Sequence, residues 1–259
     1  MAPLPEQNGR LLFFAAVILV ALASGFKSSL VSPGQVWALS ALLLVVAIPA
    51  VFKYLHTDAG APPVEHYVPA AMGAVVVAGL AVIIPEWWKY VLAVVAFGVG
   101  FYAATVLDRA RLRDRLKPGH LIVQEVVLGL SLAGGYLVVL TQLQQPSQRI
   151  LQLGWLLVLT VLASYRAFRV LGTKQMSPRR AFFFAAMVAQ VVLFLAGALA
   201  FYASVSYGAE AVMLFLAWYI NRGLIQHTIE ETMSRQIFLE YGAFGAVLAY
   251  LFYASYHPS

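Results

Sequence analysis

The chain has 259 residues, of which 62% are hydrophobic and 11% are charged, and its mean hydropathy is +0.82. A soluble domain of this length carries more charge on its surface, so the composition excludes that class and predicts an integral membrane protein. The formal net charge is +6. In a membrane protein a basic excess sets topology and attracts anionic headgroups, so we expect no nucleic-acid partner. The absence of cysteine excludes disulfides, thiolate metal sites and thiol nucleophiles.

Nine apolar segments follow one another, separated by short polar connections. Most approach the roughly 20 residues that an α-helix needs to cross a hydrocarbon core about 30 Å thick, and they lack the alternation of barrel strands. The sequence therefore predicts an all-α, polytopic membrane bundle of about nine transmembrane helices. Because no connection is long enough to hold a soluble domain, we expect one domain, residues 1–259. The predicted spans are 11–26, 36–52, 67–84, 88–107, 121–140, 150–165, 181–202, 209–225 and 237–256.

The first span has an alternative interpretation as a signal sequence. It contains Ala21, Leu22 and Ala23, a small-residue pattern that resembles a signal-peptidase site, and cleavage there would leave eight spans. The segment is long for a signal sequence, and Arg10 is the only basic residue that precedes it. We therefore expect this span to be retained as the first helix.

The distribution of basic residues predicts the orientation. With nine spans the two termini lie on opposite sides of the membrane. Of the 17 Lys and Arg residues, only Lys27, Lys89 and Arg149 fall on the C-terminal side. Because cytoplasmic loops carry the Lys and Arg excess, we expect a cytoplasmic N-terminus and an external C-terminus. The short loops and tails are typical of a bacterial plasma-membrane protein.

Two basic connections, residues 108–119 and 166–180, carry much of this charge. We expect both to be solvated anchors that contact anionic lipid headgroups. Phosphate binding is the alternative, because an arginine can hold a phosphate through two hydrogen bonds. The sequence also leaves open a homo-oligomer or hetero-oligomer within the membrane.

Polar residues at membrane depth are candidates for a binding site. His120, Gln124 and Glu125 lie at the cytoplasmic entrance of the fifth span, with Glu125 about six residues, or roughly 9 Å, inside it. A carboxylate there is costly unless it is protonated, paired or hydrated, so it marks either a ligand site or a specific ion pair. Gln190, near the middle of the seventh span, predicts an interhelical hydrogen bond or a ligand contact. With Arg235, these residues form the predicted lipid-binding set.

The stretch 221–240 concentrates ionisable residues between the last two apolar segments. On a continuous helix His227, Glu230, Glu231 and Ser234 would share one face, and Glu231 would reach Arg235 as an i, i+4 ion pair. One interpretation is a charged elbow at the cytoplasmic surface. The other is a catalytic site in which Glu230 or Glu231 acts as general base together with His227.

Glu230, Glu231 and Arg235 form the pattern E-E-x-x-x-R, which resembles the first motif of the CPBP family of intramembrane proteases and of related CAAX-processing enzymes. The resemblance implies a glutamate that activates water near a membrane-embedded histidine. It covers only these residues, because the later F-x-x-x-H and H-x-x-x-N motifs are not met. The nearest approach, Tyr253 with His257, lies at the opposite end of the last helix.

Three functions follow from these observations. The first is a membrane protein that binds or transports a lipid or small amphiphile through a polar pocket facing the cytoplasm. The second is a membrane-embedded hydrolase or transferase that uses a Glu/His pair, and the third is a structural subunit of a larger membrane complex. The sequence identifies no cofactor. Oxygen and imidazole donors suited to a metal occur at His120, Glu125, His227 and Glu230, but without the spacing of a metal site.

Overall fold

The computed structural model describes residues 4–27, 33–56, 61–112, 118–144, 146–171, 176–202 and 205–256, and these residues form helices and turns without any strand. Each predicted apolar segment corresponds to one long helix, which confirms the all-α class. Short 3-10 turns at Val64–Tyr67 and Pro146–Gln148 precede α3 and α6, and a π-helical turn, Ala167–Leu171, follows α6. The long helices are α1 Leu4–Phe26, α2 Pro33–Leu55, α3 Val68–Ile83, α4 Trp87–Leu112, α5 Pro118–Gln142, α6 Arg149–Arg166, α7 Pro178–Tyr202, α8 Tyr207–Glu230 and α9 Arg235–Tyr256.

Eight helices in the described ranges are long and apolar enough to cross a membrane, as judged by length and composition. The exception is α8, whose apolar sequence is interrupted by Glu210, Asn221, Arg222 and Gln226. The architecture is therefore that of a membrane helix bundle. A ninth crossing by α8, and with it the placement of the termini on opposite sides, stays a prediction.

The chain divides into two compact units, Met1–Ser131 and Leu132–Ser259, with the boundary inside α5. The expectation of one domain stays a prediction. In unit 1, α1 packs on α2 and α4, and α3 packs on α2 and α4. The most buried candidate span contains α3, in which ten of the 16 residues are buried. Small side chains such as Ala70, Ala74 and Ala78 let neighbouring helices approach.

The close packing of α3 on α4 depends on Gly73. A Cβ atom added to Gly73 would overlap the ring of Phe97, which lies directly over the α3 backbone. Only glycine leaves room for a phenyl ring at this position. Phe97 in turn packs against Phe101, with ring centroids 6.3 Å apart.

Lys27, which directly follows α1, connects the C-terminal ends of α1 and α3 in unit 1. Its amine donates hydrogen bonds to the backbone carbonyls of Ala81, at 3.4 Å, and Ile84 near the C-terminus of α3. The same amine lies 4.6 Å from the centroid of the Tyr90 ring, and Tyr90 Oη donates to the carbonyl of Ala23 over 3.2 Å. Burial lowers the pKa of the Lys27 amine, while Glu86 opposes that shift. A cation at the carbonyl end of a helix is favourable.

Unit 2 packs α6 on α7, α7 on α8, and α8 on α9. Trp218 of α8 is fully buried and donates from Nε1 to Ser164 Oγ of α6 over 2.9 Å. α9 is the most exposed span, with 6% of its residues buried. Its buried contact is Tyr241, whose ring centroid lies 5.7 Å from that of Tyr219 and whose hydroxyl occupies the space left by Gly223.

Candidate functional site

Three buried polar side chains meet at one end of unit 1, and we call them the polar cluster: His66, Asp108 and Gln124. His66 lies on the 3-10 turn before α3, Asp108 one turn before the end of α4, and Gln124 in the second turn of α5. Gln124 Nε2 donates to Asp108 Oδ1 over 2.6 Å, and His66 Nδ1 lies 2.9 Å from Asp108 Oδ2. The carboxylate is thus engaged on both oxygens by side chains from two other elements.

The polar cluster is not fully satisfied. His66 Nδ1 is close to Asp108 Oδ2, but the contact does not have the geometry of a hydrogen bond, and Nδ1 has no hydrogen-bond partner among the described residues. Gln124 Oε1 is buried and has no hydrogen-bond partner among the described residues. A buried acceptor left in this state costs about 1–3 kcal/mol, so its presence calls for an explanation.

The polar cluster corrects the expectation for Asp108. The sequence predicted a solvated basic loop over 108–119, whereas α4 continues to Leu112 and Asp108 is buried. Pairing with Gln124 and His66 makes that burial tolerable. Residues 113–117 of the expected loop lie outside the described residues. His66 and its buried neighbour Glu65 were missed, although two ionisable residues at the edge of the third apolar segment were a usable signal.

A cavity of about 250 Å³ lies between α3, α4 and α5 within unit 1. Its wall is apolar apart from the hydroxyl of Ser131, and it includes the Phe97 ring that rests on Gly73. The lining residues are Pro69, Gly73, Val76, Ala93, Ala96, Phe97, Gly100, Phe101, Val127, Leu130 and Ser131.

The cavity and the polar cluster follow one another along the same three helices. On α3, Pro69 comes three residues after His66, and on α5, Val127 comes three residues after Gln124. Each step is about one helical turn, or roughly 4.5 Å along the axis. On α4, Phe101 precedes Asp108 by two turns and so lies on the same side of the helix. By this spacing the polar cluster lies about one to two helical turns from the residues that line the cavity, and none of its three side chains is part of the lining.

Unit 2 also buries charge. Arg166 at the end of α6 is 1% exposed, and Arg222 of α8 is 3% exposed with its Cζ 5.9 Å from the Trp218 ring centroid. Arg169, on the π-helical turn, donates to the carbonyl of Met176 over 2.5 Å. The expectation of a solvated anchor over 166–180 is therefore wrong for Arg166, which is held in the interior. Residues 172–175 of that connection lie outside the described residues.

The expected helical face at the end of α8 is not formed, because α8 ends at Glu230 and α9 begins at Arg235. Glu231 takes a left-handed conformation, with φ 57°, and its N–H donates to Thr228 O while Thr232 N donates to His227 O. This is the Schellman pattern that terminates helices, usually with glycine in the left-handed position. The chain therefore turns at Glu231, and no ion pair joins Glu231 to Arg235 in the described segments.

The break separates the predicted catalytic residues. Glu230 is buried and accepts a hydrogen bond from Gln226 Nε2 over 3.2 Å, whereas Glu231 is exposed. His227 is half-buried, and its Nδ1 lies 2.8 Å from Thr232 Oγ1. Catalytic roles for these residues stay a prediction. The histidine–carboxylate contact found in the described part of the chain is His66 with Asp108.

The remaining predicted site residues differ in burial and position. His120 and Glu125 are half-buried in the first two turns of α5, and Arg235 is exposed at the start of α9. Gln190 is exposed on α7. Across the described ranges, no three His, Asp or Glu side chains are grouped closely enough to hold a metal ion. Of the predicted set, Gln124 is the residue that the polar cluster contains.

Comparisons with known proteins assign no family to this chain. No protein-family model, no curated protein and no solved structure matches it significantly. The E-E-x-x-x-R resemblance thus rests on Glu230, Glu231 and Arg235 alone, and candidate functions have to come from the geometry described above.

Proposed function

We propose that the chain is a multi-pass membrane protein that binds a lipid or another small amphiphile in the cavity of unit 1. The observation that carries this proposal is an apolar cavity that begins one helical turn along α5 from Gln124, whose Oε1 is a buried acceptor without a partner in the described structure. A ligand with one polar end and one apolar end would satisfy the acceptor and fill the space.

The cavity suits a single hydrocarbon chain. Ligand pockets for drug-sized molecules enclose about 300–1,000 Å³, and this one, at about 250 Å³, is slightly smaller. A larger groove of about 580 Å³ between α1 and α4 is lined by apolar side chains and the Tyr102 ring. Membrane lipid fills such a groove without selectivity. The α3–α4–α5 cavity instead lies about one helical turn along α5 from the fixed side chains of the polar cluster.

The chemistry of the polar cluster favours a headgroup that donates hydrogen bonds. The unsatisfied atom, Gln124 Oε1, is an acceptor, and the adjacent Asp108 carboxylate accepts as well. A hydroxyl or an ammonium group complements these atoms. A carboxylate or phosphate headgroup would face the Asp108 charge and is disfavoured.

The proposal includes an orientation in a bacterial plasma membrane, with the N-terminus in the cytoplasm. The uneven distribution of Lys and Arg supports it. On this orientation the polar cluster lies at the cytoplasmic end of α3, α4 and α5. The exposed Arg179 and Arg180, at the start of α7, would lie at the same membrane surface and contact anionic headgroups.

The test compares three single-chain amphiphiles of equal chain length that carry an amine, a hydroxyl or a carboxylate. The full chain is purified in a detergent with a bulky headgroup, and thermal unfolding is followed during titration, since a ligand that binds the folded state raises the melting temperature. We expect the amine and the alcohol to raise it and the carboxylate to leave it unchanged.

Two variants make the test specific to the cavity. Ala96→Phe places a ring in the cavity and should remove the thermal shift, whereas Leu92→Phe, one turn away on an exposed face outside the cavity lining, should retain it. If all three amphiphiles stabilise both variants like the parent, binding does not occur in this cavity and the proposal fails.

A further inference from the structure

Gln190 is a polar side chain at the outer surface of unit 2. It lies twelve residues from either end of α7, or about 18 Å along the axis, and so near the middle of a predicted span. Its side chain is exposed, and no hydrogen bond to it is found within the described residues. An amide turned towards lipid loses its hydrogen bonds to water and gains none from hydrocarbon. The expected interhelical hydrogen bond is therefore not made within unit 2.

Gln190 stands at the centre of an exposed stripe along α7. Phe183, Met187 and Phe194 occupy positions i−7, i−3 and i+4 and are 62%, 42% and 81% exposed. Gly197, at i+7, lies on the same side, and a Cβ atom added there would meet no other atom within 4 Å. The stripe thus offers bulky apolar side chains, a central amide and a small residue that allows a second helix to approach closely.

This combination distinguishes α7 from α9, which has the smallest buried share among the candidate spans. Phe238, Leu239 and Val247 of α9 are exposed apolar side chains that lipid tails cover at no cost. A glutamine is different, because it needs both a donor and an acceptor as partners. Its own amide supplies both, so one glutamine complements another across a two-fold axis.

We propose that the α7 stripe, Phe183, Met187, Gln190, Phe194 and Gly197, is a homodimer interface in which a second copy of this chain packs against the same stripe. All copies have the same orientation in a membrane, so the two-fold axis is parallel to the membrane normal and the two α7 helices run parallel. Gln190 then lies opposite Gln190 of the second copy, and the two amides exchange hydrogen bonds at mid-membrane.

Cysteine cross-linking tests the interface directly, because the chain has no native cysteine. Met187→Cys and Phe194→Cys place thiols on the stripe while keeping Gln190. Val191→Cys is the matched control, since Val191 is also 42% exposed but is rotated about 100° from Gln190 on the helix. After mild oxidation in native membranes, we expect the two stripe variants to form disulfide-linked dimers several times faster than the control.

A second set of variants tests the role of the amide. Adding Gln190→Leu to Met187→Cys should reduce cross-linked dimer about five- to thirty-fold, because an interhelical amide hydrogen bond is lost, whereas Gln190→Asn should retain part of it. Two differently tagged copies are expressed together, so a mixed-tag product identifies the partner as this same chain.

Equal cross-linking at Met187, Val191 and Phe194 would indicate random collision and overturn the proposal. So would a Met187→Cys signal that Gln190→Leu does not change, or a cross-linked product that contains a different protein. Leucine is accepted on a lipid-facing helix surface, so unchanged amounts of monomer in the membrane would show that these variants still fold.

Discussion

Gln124 Nε2 donates a 2.6 Å hydrogen bond to Asp108 Oδ1, and this contact joins the beginning of α5 to the end of α4 inside unit 1. The bond uses the donor of the Gln124 amide and leaves its acceptor, Oε1, without a partner in the described residues. The nitrogen and the oxygen of the Gln124 amide are therefore in different situations. The donor holds the Asp108 carboxylate in place, and the acceptor is buried without a hydrogen bond.

Removal of the Asp108 carboxylate should be strongly destabilising. Asp108→Ala leaves Gln124 Nε2 without its acceptor and removes the carboxylate that lies 2.9 Å from His66 Nδ1, and breaking a buried pair in this way costs about 3–5 kcal/mol. Asp108→Asn keeps one acceptor oxygen and should cost less. The measurement is thermal unfolding of the purified chain, with Arg109→Ala as control. Arg109 makes a cation–π contact with Tyr54 at 4.5 Å, worth about 0.5–2 kcal/mol. An Asp108→Ala protein as stable as the Arg109→Ala protein would contradict this account.

Substitution of Glu231 by glycine should stabilise the chain. A left-handed conformation costs a non-glycine residue about 1–2 kcal/mol, and glycine adopts it without that penalty. We expect Glu231→Gly to raise the melting temperature, and Glu231→Ala, which keeps the strain, to leave it near the parent value. The same pair tests catalysis at Glu231, because both variants remove its carboxylate. A glycine variant less stable than the alanine variant would rule out backbone strain as the explanation.

The contact of Gly73 with Phe97 predicts a rescue experiment. Gly73→Ala introduces a Cβ that overlaps the Phe97 ring, and overpacking of this kind costs about 1–3 kcal/mol. Combining it with Phe97→Leu should recover part of the loss, so that the two changes are non-additive. The check is a double-mutant cycle measured by thermal unfolding. Gly242→Ala, where an added Cβ meets nothing within 4 Å, is the matched control. Additive effects would show that the two residues do not press on each other.

The contact between Glu86 and Lys89, at the turn before α4, should make a small pH-dependent contribution to the free energy of unfolding. Lys89 Nζ lies 2.6 Å from Glu86 Oε1, and this hydrogen bond lowers the pKa of the Glu86 carboxyl. A carboxyl with a lowered folded-state pKa adds stability at neutral pH that is lost as the pH falls through that pKa. We expect Glu86→Gln to be slightly less stable than the parent at neutral pH. The difference should shrink on acidification and in about 1 M salt, because the pair is exposed. If the stability difference between the parent and Glu86→Gln increases in acid, the prediction of a lowered Glu86 pKa in the folded state is wrong.

The orientation of the chain in the membrane can be measured with single cysteines, one in the turn between α5 and α6 and one at the start of α7. Ser147→Cys is expected on the external side, and Arg180→Cys on the cytoplasmic side. An impermeant maleimide added to intact cells should label Ser147→Cys and leave Arg180→Cys unlabelled until the cells are opened. Labelling at Arg180→Cys alone would reverse the proposed orientation, and equal labelling at both would place them on the same side.

Hydropathy along the sequence determined the membrane class and the all-α fold, because a run of about 20 apolar residues has few other stable arrangements in a bilayer. It also located every long helix, and the largest difference in a helix end is at the start of α1, which was predicted at residue 11 and begins at Leu4. The polar cluster depended on tertiary structure, because the contacts of Asp108 are made with His66 and Gln124. Other segments of the chain bring these two residues to it. The end of α8 depended on one left-handed residue, Glu231, at which periodicity alone predicts a continuing helix. The same holds for Gln190. Its position in the sequence indicates mid-membrane depth, but only packing decides which side of α7 turns inwards and which side stays exposed.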